Sequence, residues 1–202
     1  MFLSITTIMK YQKQLFTRLS REYISMKKLL TIFSIAAILL TACNKEVTEL
    51  PPATQTGANT FGAMLDANFW TPKSFGPLNN DILEVRIAGN NVFITASDFS
   101  GSPSEKEFQI FLKDVTGPAT FQLNTDVGYP SIAASNAYYV KRNFSPTDEW
   151  ITSSQHGGTV TVTKFDLANH IISGTFQFTM ANLINPADII TVTDGRFDIK
   201  IP

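Results

Sequence analysis

Few side chains of this chain could act as a base or a nucleophile. The 202 residues include two histidines and one cysteine. His156 lies in a loop of small residues beside Ser154, and a serine, a histidine and an acid can together activate a hydroxyl for acyl transfer. No G-x-S-x-G motif accompanies them, and His170 falls at a predicted hairpin end. The sequence therefore favours exposed loop histidines over a catalytic site.

Acidic side chains offer a second kind of chemistry. Asp148, Glu149 and Asp188 lie in predicted loops, where carboxylates and backbone carbonyls could bind calcium. The chain has neither an H-E-x-x-H motif nor an EF-hand loop, so solvated turn acids are the better interpretation. Two carboxylates could also hydrolyse a glycosidic bond, but no spacing marks such a pair. We therefore predict no catalytic residues, no metal and no cofactor.

Aromatic side chains are the remaining candidates for a binding site. Trp150 follows a predicted polar loop over residues 145–149, and the neighbours Tyr138 and Tyr139 belong to a short predicted strand. Rings in such places could form a platform for a sugar or a peptide. Trp70 is expected to pack in the core instead. The predicted ligand-binding residues are therefore Trp150, Tyr138 and Tyr139.

The single cysteine has a specific sequence context. Met26-Lys27-Lys28 opens a basic region, residues 29–40 are mostly apolar, and Leu40-Thr41-Ala42 precedes Cys43. This order is that of a secretory signal, and its end resembles the lipobox cut by the lipoprotein signal peptidase. The resemblance implies that Cys43 receives a lipid and becomes the amino terminus. The alternative is a membrane span, but the 14 residues from Leu29 to Ala42 are fewer than the roughly 20 that a span needs.

The segments around Cys43 divide the chain. We expect residues 1–42 to form the signal region, with translation starting at Met26. Residues 43–59 are predicted to be the lipidated cysteine and a flexible tether, because they carry Pro51-Pro52 and small polar residues. Asn44, directly after the cysteine, favours the outer membrane. The following domain would then face the periplasm or the cell surface.

Charge is unevenly distributed along the chain. Of 16 basic and 17 acidic residues, six basic residues and one acid precede Cys43, which leaves 10 basic and 16 acidic residues and a net charge of −6 on residues 43–202. An acidic domain without a Lys/Arg cluster is a poor binder of nucleic acid, since phosphate contacts need local positive charge. The charge pattern therefore predicts no nucleic-acid partner.

From residue 60 onward the hydrophobic pattern has period two, which predicts β-strands. The alternating runs cover residues 83–87, 92–97, 108–113, 119–123, 137–141, 159–163, 172–180, 190–192 and 196–201. In the last run Phe197 and Ile199 would face inward and Asp198 outward. A short helix near residues 131–137 is the one expected exception. The pattern predicts that residues 60–202 form a single all-β domain, an antiparallel β-sandwich or barrel-like domain of roughly ten strands.

Three stretches together resemble a known family. They are Leu50-Pro51-Pro52-Ala53-Thr54-Gln55-Thr56-Gly57 running into Asn59-Thr60-Phe61-Gly62, then Ile172-Ser173-Gly174-Thr175-Phe176-Gln177-Phe178, and finally Thr193-Asp194-Gly195-Arg196-Phe197-Asp198. Their order is similar to that in a family of Bacteroidota lipoproteins classed as a domain of unknown function. The resemblance covers roughly residues 50–202. It implies an all-β domain on a lipid anchor and supplies no catalytic residues.

The sequence therefore predicts a lipid-anchored protein of the cell envelope. Its domain is expected to be a non-enzymatic binding module for a glycan, a peptide or an envelope partner, with the membrane contacted through the lipid on Cys43. One alternative is a structural or assembly lipoprotein. The other is a hydrolase that uses carboxylates.

Overall fold

A computed structural model describes residues 48–75 and 81–202. Met26, Cys43 and the predicted signal region lie outside the described residues, so the start site and the lipidation stay predictions. Within the described residues there is no helix, and eleven β-strands form one antiparallel hydrogen-bonded network. The predicted all-β fold is therefore confirmed.

Eleven strands follow one another along the described residues. They are β1 (Thr60–Leu65), β2 (Asn68–Trp70), β3 (Leu83–Ala88), β4 (Asn91–Asp98), β5 (Ser104–Leu112), β6 (Ala119–Gln122), β7 (Asn136–Asn143), β8 (Ser145–Ile151), β9 (Gly158–Asp166), β10 (Ile171–Asn182) and β11 (Ile189–Lys200). Along the sheet their order is β2-β1-β11-β10-β8-β7-β5-β4-β3, with β9 paired to β10 and β6 paired to β9. The branch lies on β10, which pairs with β9 over residues 171–178 and with β8 over residues 181–182.

The sheet folds back on itself, so that two layers face each other across an aromatic core. Between ring centroids, Phe108 in β5 lies 6.1 Å from Phe61 in β1 and 6.5 Å from Phe178 in β10. All three rings are buried. Aromatic side chains bury a large apolar area, and ring pairs at such distances add about 0.5–1.5 kcal/mol beyond that burial. The core therefore lies between the layer of β1, β9, β10 and β11 and the layer of β3, β4, β5, β7 and β8.

Two segments differ from the sequence prediction. Residues 145–149, predicted as a loop, belong to β8, whose first four side chains are exposed and so carry no apolar alternation. Residues 131–135 do not form the predicted helix. The Asn136 side-chain amide donates to the carbonyls of Ser131 and Ala134 at 3.2 and 2.9 Å, which occupies the groups that a helix would use.

Glycine and phenylalanine pair across β10 and β11. Gly195 lies opposite Phe176, and Gly174 lies opposite Phe197. A Cβ atom at Gly195 would lie 2.3 Å from the Phe176 ring, and one at Gly174 would lie 2.6 Å from the Phe197 ring. The rings therefore cover the glycines and leave no room for a side chain. An extra residue beside Asp194, whose φ is +52°, forms a bulge in the continuous strand β11.

The segment before β1 packs on the outer face of the sheet. We call residues 54–58 the clasp segment. The Asp198 carboxylate accepts hydrogen bonds from the Thr54 hydroxyl at 2.6 Å, the Thr56 N–H at 2.9 Å and the Gly57 N–H at 2.8 Å. Asp198 faces away from the core, as the alternation predicts, but it is 1% exposed because the clasp segment covers it.

The prediction of a flexible tether over residues 43–59 is thus wrong for the clasp segment. The three stretches on which the family resemblance depends also meet at this place, because the Ser173 hydroxyl in β10 donates to Asp198 at 2.7 Å. The clasp segment is held in place because the Asp198 carboxylate is buried. A buried charge needs several hydrogen-bond donors, and the clasp segment, β10 and the strand of Asp198 come together to provide them.

Hydrogen bonding determines the charge state of Asp198. Burial raises the pKa of this carboxyl, but donors from Thr54, Ser173, Thr56 and Gly57 lower it by more. The net effect holds the pKa of Asp198 well below its ordinary value, so the group stays ionised.

Candidate functional site

The neighbours Tyr138 and Tyr139 lie on opposite faces of β7, because successive side chains of a strand alternate. The Tyr139 ring lies in the core, with its centroid 5.7 Å from that of Trp150 and 6.4 Å from that of Trp70. Tyr139 and Trp150 are 1% and 2% exposed. The three predicted residues therefore do not share an exposed platform, although Tyr139 and Trp150 do lie together.

Tyr138 belongs to the outer face of the sheet. Its ring stacks on Tyr129, with the ring centroids 3.4 Å apart, and its hydroxyl donates to Glu149. Burial, followed by the Glu149 hydrogen bond, raises the pKa of Tyr138 far above its ordinary value. The hydroxyl is thus a protonated donor that Glu149 already uses, and Tyr138 stabilises the fold.

A cleft of about 410 Å³ opens at one end of the core, and Trp70, Tyr139 and Trp150 line it. We call it the tryptophan cleft. Small-molecule sites in proteins measure about 300–1,000 Å³, so the volume suits a small ligand or one unit of a larger one. The cleft thus brings together two of the three predicted residues and adds Trp70, for which the sequence favours a core position.

Two rows of side chains cross β5, β7 and β8, and all of them except Phe108 line the tryptophan cleft. The inner row consists of aromatic register partners: Phe108, Tyr139 and Trp150. The outer row lies two residues away on each strand and is charged: Lys106, Lys141 and Asp148. The alternation explains this arrangement, because residues i and i+2 of a strand share a face. The inner faces of these strands therefore change from apolar to charged at the mouth of the cleft.

A tight turn positions the opposite wall. Asp66 and Ala67 form the two-residue loop between β1 and β2, with φ values of +46° and +64°. Positive φ at both positions is typical of the hairpin turn that matches the strand twist. The Asp66 carboxylate accepts the Thr191 N–H at 2.8 Å, and the Asn68 side chain donates to the Asp66 carbonyl at 3.0 Å. These bonds fix β2 and therefore place Trp70 over the cleft.

The indole N–H groups of Trp70 and Trp150 have no hydrogen-bond acceptor among the described residues. Both side chains are more than nine-tenths buried. A buried donor without a partner costs about 1–3 kcal/mol, which is why such groups are rare away from functional sites. The Lys141 ammonium lies 4.7 Å from the centroid of the Trp150 ring and helps to fix its orientation.

The Tyr139 side chain also lines the tryptophan cleft. Burial raises the pKa of Tyr139 well above its ordinary value, Asp98 and Asp66 raise it further, and Trp70 lowers it. The hydroxyl therefore keeps its proton. The Trp70 N–H lies near it without reaching hydrogen-bond geometry, so Trp150 presents the more clearly unpaired donor.

The histidine and the serines considered for catalysis do not assemble into a triad. The backbone N–H and the hydroxyl of Ser154 donate to Asp126 at 2.9 and 2.8 Å, which ties two loops together. The His156 backbone N–H donates to Ser153 at 3.1 Å. Within residues 48–75 and 81–202, no hydrogen bond joins the His156 imidazole to Ser154. His170 lies in the turn between β9 and β10, as predicted.

The predicted loop acids are separated by their environments. Glu149 accepts the Tyr138 hydroxyl on the outer face, whereas Asp148 and Asp188 line the tryptophan cleft. The part of the chain that the structure describes holds no group of three His, Cys, Asp or Glu side chains that could bind a metal ion. No helix among those residues is long and apolar enough to cross a membrane.

A second groove of about 430 Å³ lies on the outer face of β3, β4 and β5, beneath Tyr129 and Ile132. Its floor contains Phe93 and Phe111, whose ring centroids are 4.8 Å apart. The Tyr129 hydroxyl donates to Gln109 at 2.6 Å. Unlike the tryptophan cleft, this groove holds no unpaired buried donor among the described side chains.

The comparisons with known proteins find no relative. No protein-family model, no curated protein and no solved structure matches this chain. The candidate site therefore depends on the geometry of the tryptophan cleft.

Sequence reasoning missed the two lysines of the outer row, although the sequence contains a signal for them. Lys106 lies two residues from Phe108, and Lys141 lies two residues from Tyr139, so the alternation along each strand places both lysines on the inner face.

Proposed function

We propose that this chain is a lipoprotein of the outer membrane whose β domain binds a small ligand or one unit of a larger ligand in the tryptophan cleft, without catalysis. The lipobox before Cys43 supports the anchor, and the resemblance to Bacteroidota lipoproteins supports the compartment. The observation that carries the binding role is the tryptophan cleft itself, a cavity of about 410 Å³ that Trp70, Tyr139 and Trp150 line together with charged side chains.

The cleft supports binding because of how its parts are held. Strand pairing fixes the inner row, and the Asp66–Ala67 turn fixes Trp70 on the other wall. Side chains that are already in place lose little conformational entropy when a ligand binds. The charged outer row keeps the mouth hydrated, so that a polar ligand exchanges with water at the entrance.

Each alternative has one observation in its favour. Exposed Phe144 at the tip of the β7–β8 hairpin and exposed Ile184 after β10 favour an assembly lipoprotein that docks on another envelope protein. A hydrolase is favoured by Asp66, Asp148 and Asp188, three carboxylates that line the tryptophan cleft. The aromatic lining of the tryptophan cleft favours the binding module over both alternatives.

The test uses the tryptophans as reporters. The chain contains two tryptophans, so a ¹⁵N-labelled sample purified from membranes in detergent gives two indole N–H signals in a ¹H–¹⁵N spectrum. Fractions of an envelope extract, separated into glycans and peptides, are added in turn. Binding in the cleft predicts a saturable shift of the Trp150 signal, with the added compounds recovered unchanged. Turnover of an added compound would support a hydrolase, and unshifted signals with every fraction would contradict binding in the cleft.

A further inference from the structure

We infer that the tip of the β7–β8 hairpin docks on the lipid bilayer that carries the anchor, with the Phe144 side chain inserted among the lipids. This inference rests on the lipid anchor of the proposed function and adds a second contact with the membrane. Phe144 is 92% exposed at the tip, between Asn143 at the end of β7 and Ser145 at the start of β8. Burying its ring in a bilayer would remove a large apolar surface from water.

Phenylalanine suits neither the backbone nor the solvent at this position. The φ of Phe144 is +65°, in the left-handed region that bulky side chains avoid. The other described residues with positive φ have smaller side chains: Gly57, Asn59, Asp66, Ala67, Gly89, Asp114, His170 and Asp194. Asparagine or glycine would fit this turn with less strain and expose no large apolar surface. Folding therefore gives no reason for Phe144, whereas contact with an apolar phase outside the domain does.

A second exposed apolar side chain lies at the same end of the sheet, which we call the hairpin end. β10 ends where β8 begins, because the two strands pair antiparallel and the Leu183 N–H donates to the Glu149 carbonyl at 2.8 Å. The loop that follows β10 is therefore at the hairpin end, and Ile184 in this loop is 85% exposed. Residues 143–147 and 183–187 carry no charged side chain. Neither loop would thus have to bring a charge into the lipids.

The chain that precedes the domain leads toward the hairpin end. The Gly57 N–H donates to Asp198, whereas the Pro51 carbonyl accepts a hydrogen bond from Arg196 at 3.4 Å. Arg196 is nearer than Asp198 to the start of β11, which lies at the hairpin end because β11 pairs antiparallel with β10. The chain from Pro51 back to Cys43 spans at most about 26–29 Å when fully extended. A lipid on Cys43 would therefore keep the domain close to the membrane.

Phe144 and Ile184 also favour an assembly lipoprotein, but a bilayer accommodates them with fewer requirements. They lie on separate loops, so a protein partner would need a surface shaped to reach both, whereas lipids rearrange around each side chain. The anchor would hold the protein on the membrane, so the tip has only to orient the domain. Asp148, which lines the tryptophan cleft, lies four residues from Phe144 along the strand. Docking would thus hold this side of the cleft about 13 Å from the inserted ring.

The experiment attaches a nitrobenzoxadiazole dye to Phe144→Cys in the lipidated protein, purified from membranes and reconstituted in phosphatidylethanolamine–phosphatidylglycerol vesicles. A lipid on Cys43 blocks that thiol, so the wild type should take up no dye. The matched control is Leu167→Cys, because Leu167 is 58% exposed in the turn between β9 and β10, at the opposite end of the sheet. Lipids with brominated acyl chains should quench the emission from position 144 and leave that from position 167 unchanged.

The outcomes separate the docking from the anchor. Unquenched emission from position 144, in protein that floats with the vesicles, would overturn the docking and leave the anchor standing. Dye at position 144 that is shielded only in native membranes would assign the tip to a protein partner, and equal quenching at both positions would also overturn the inference. A wild type that takes up the dye and does not float would overturn docking and anchor together.

A stability measurement tests whether Phe144 serves the fold instead. Phe144→Asn removes the ring and suits the positive φ, so it should melt at a temperature no lower than the wild type in detergent. A lower melting temperature would show that the ring stabilises the domain, and it would overturn the argument for a membrane contact. Melting curves of Phe144→Cys and Leu167→Cys, which change exposed side chains, confirm that the labelled proteins are folded.

Discussion

The Asp198 carboxylate offers the sharpest test of the fold, since it joins the clasp segment to β10 and β11. Its hydrogen bonds with Gly57 N–H and the Ser173 hydroxyl, at 2.8 and 2.7 Å, are fully buried. Hydrogen bonds to a charged group contribute about 1.5–3 kcal/mol each. Loss of these two alone makes Asp198→Ala less stable by about 3–6 kcal/mol. The part-buried bonds from Thr54 and Thr56 add less because water can replace them.

The pH dependence of stability follows from the lowered pKa of Asp198. In the unfolded chain the carboxyl titrates near its ordinary value of about 3.9. A group whose pKa is lower in the folded state stabilises that state above its unfolded pKa, and the contribution is lost as the pH falls through the folded pKa. The wild type should therefore lose stability progressively below about pH 4. Asp198→Asn keeps the shape but lacks the charge, so its difference from the wild type is largest at pH 7.

Urea unfolding of the wild type, Asp198→Asn and Asp198→Ala at pH 7 and pH 3 measures both effects. For a chain of this size, a loss of 3–6 kcal/mol corresponds to a melting temperature lower by roughly 6–24 °C. The control is Asp194→Asn, because Asp194 lies in the same strand with an exposed side chain. Equal stability of Asp198→Asn and the wild type at pH 7 would refute the clasp. A difference between Asp198→Asn and the wild type that is the same at pH 7 and pH 3 would refute the charge argument.

Three further outcomes are expected. A palmitate analogue supplied to growing cells should label the wild type and not Cys43→Ala, and equal labelling would contradict the lipid anchor. Gly195→Ala places a Cβ 2.3 Å from the Phe176 ring and should lower the free energy of unfolding by about 1–3 kcal/mol, whereas Gly117→Ala, with open space around it, should change it little. Phe197→Ala empties a core position and should cost about 3–5 kcal/mol in thermal melts, so an unchanged melting temperature would mean that the ring is exposed.

The sequence predicts the strands well where one face is apolar and the other polar. The run from Ile172 to Met180 and the run from Phe197 to Ile201 show this pattern, and both bury the predicted faces. The sequence does not predict the first part of β8, because its side chains are exposed and show no alternation of apolar and polar residues. Backbone hydrogen bonds to β7 hold this part of the strand. A strand of this kind is determined by its partner β7 rather than by its own residues.

The candidate site was only partly predictable. Trp150 and Tyr139 were predicted as ligand contacts and do line the tryptophan cleft, but Tyr138 lies on the opposite face and serves the fold. Trp70 was predicted as core, and it is both core and cleft wall. The alternation of apolar and polar residues predicts which face of a strand is buried. It does not predict at which end of that face a cleft opens.

By itself the sequence determined the all-β class and the scarcity of catalytic side chains, and it predicts the lipid anchor from the residues before Cys43, because each of these inferences depends on residue types and on spacings of a few positions. Tertiary structure alone decided the clasp and the cleft. Thr54 and Asp198 are 144 positions apart, and nothing local at either residue reveals that a carboxylate on the outer face is buried. The cleft likewise needs β2, β5, β7 and β8 at one place. Whether a polar group is paired or left free is a property of neighbours that only the folded chain brings together.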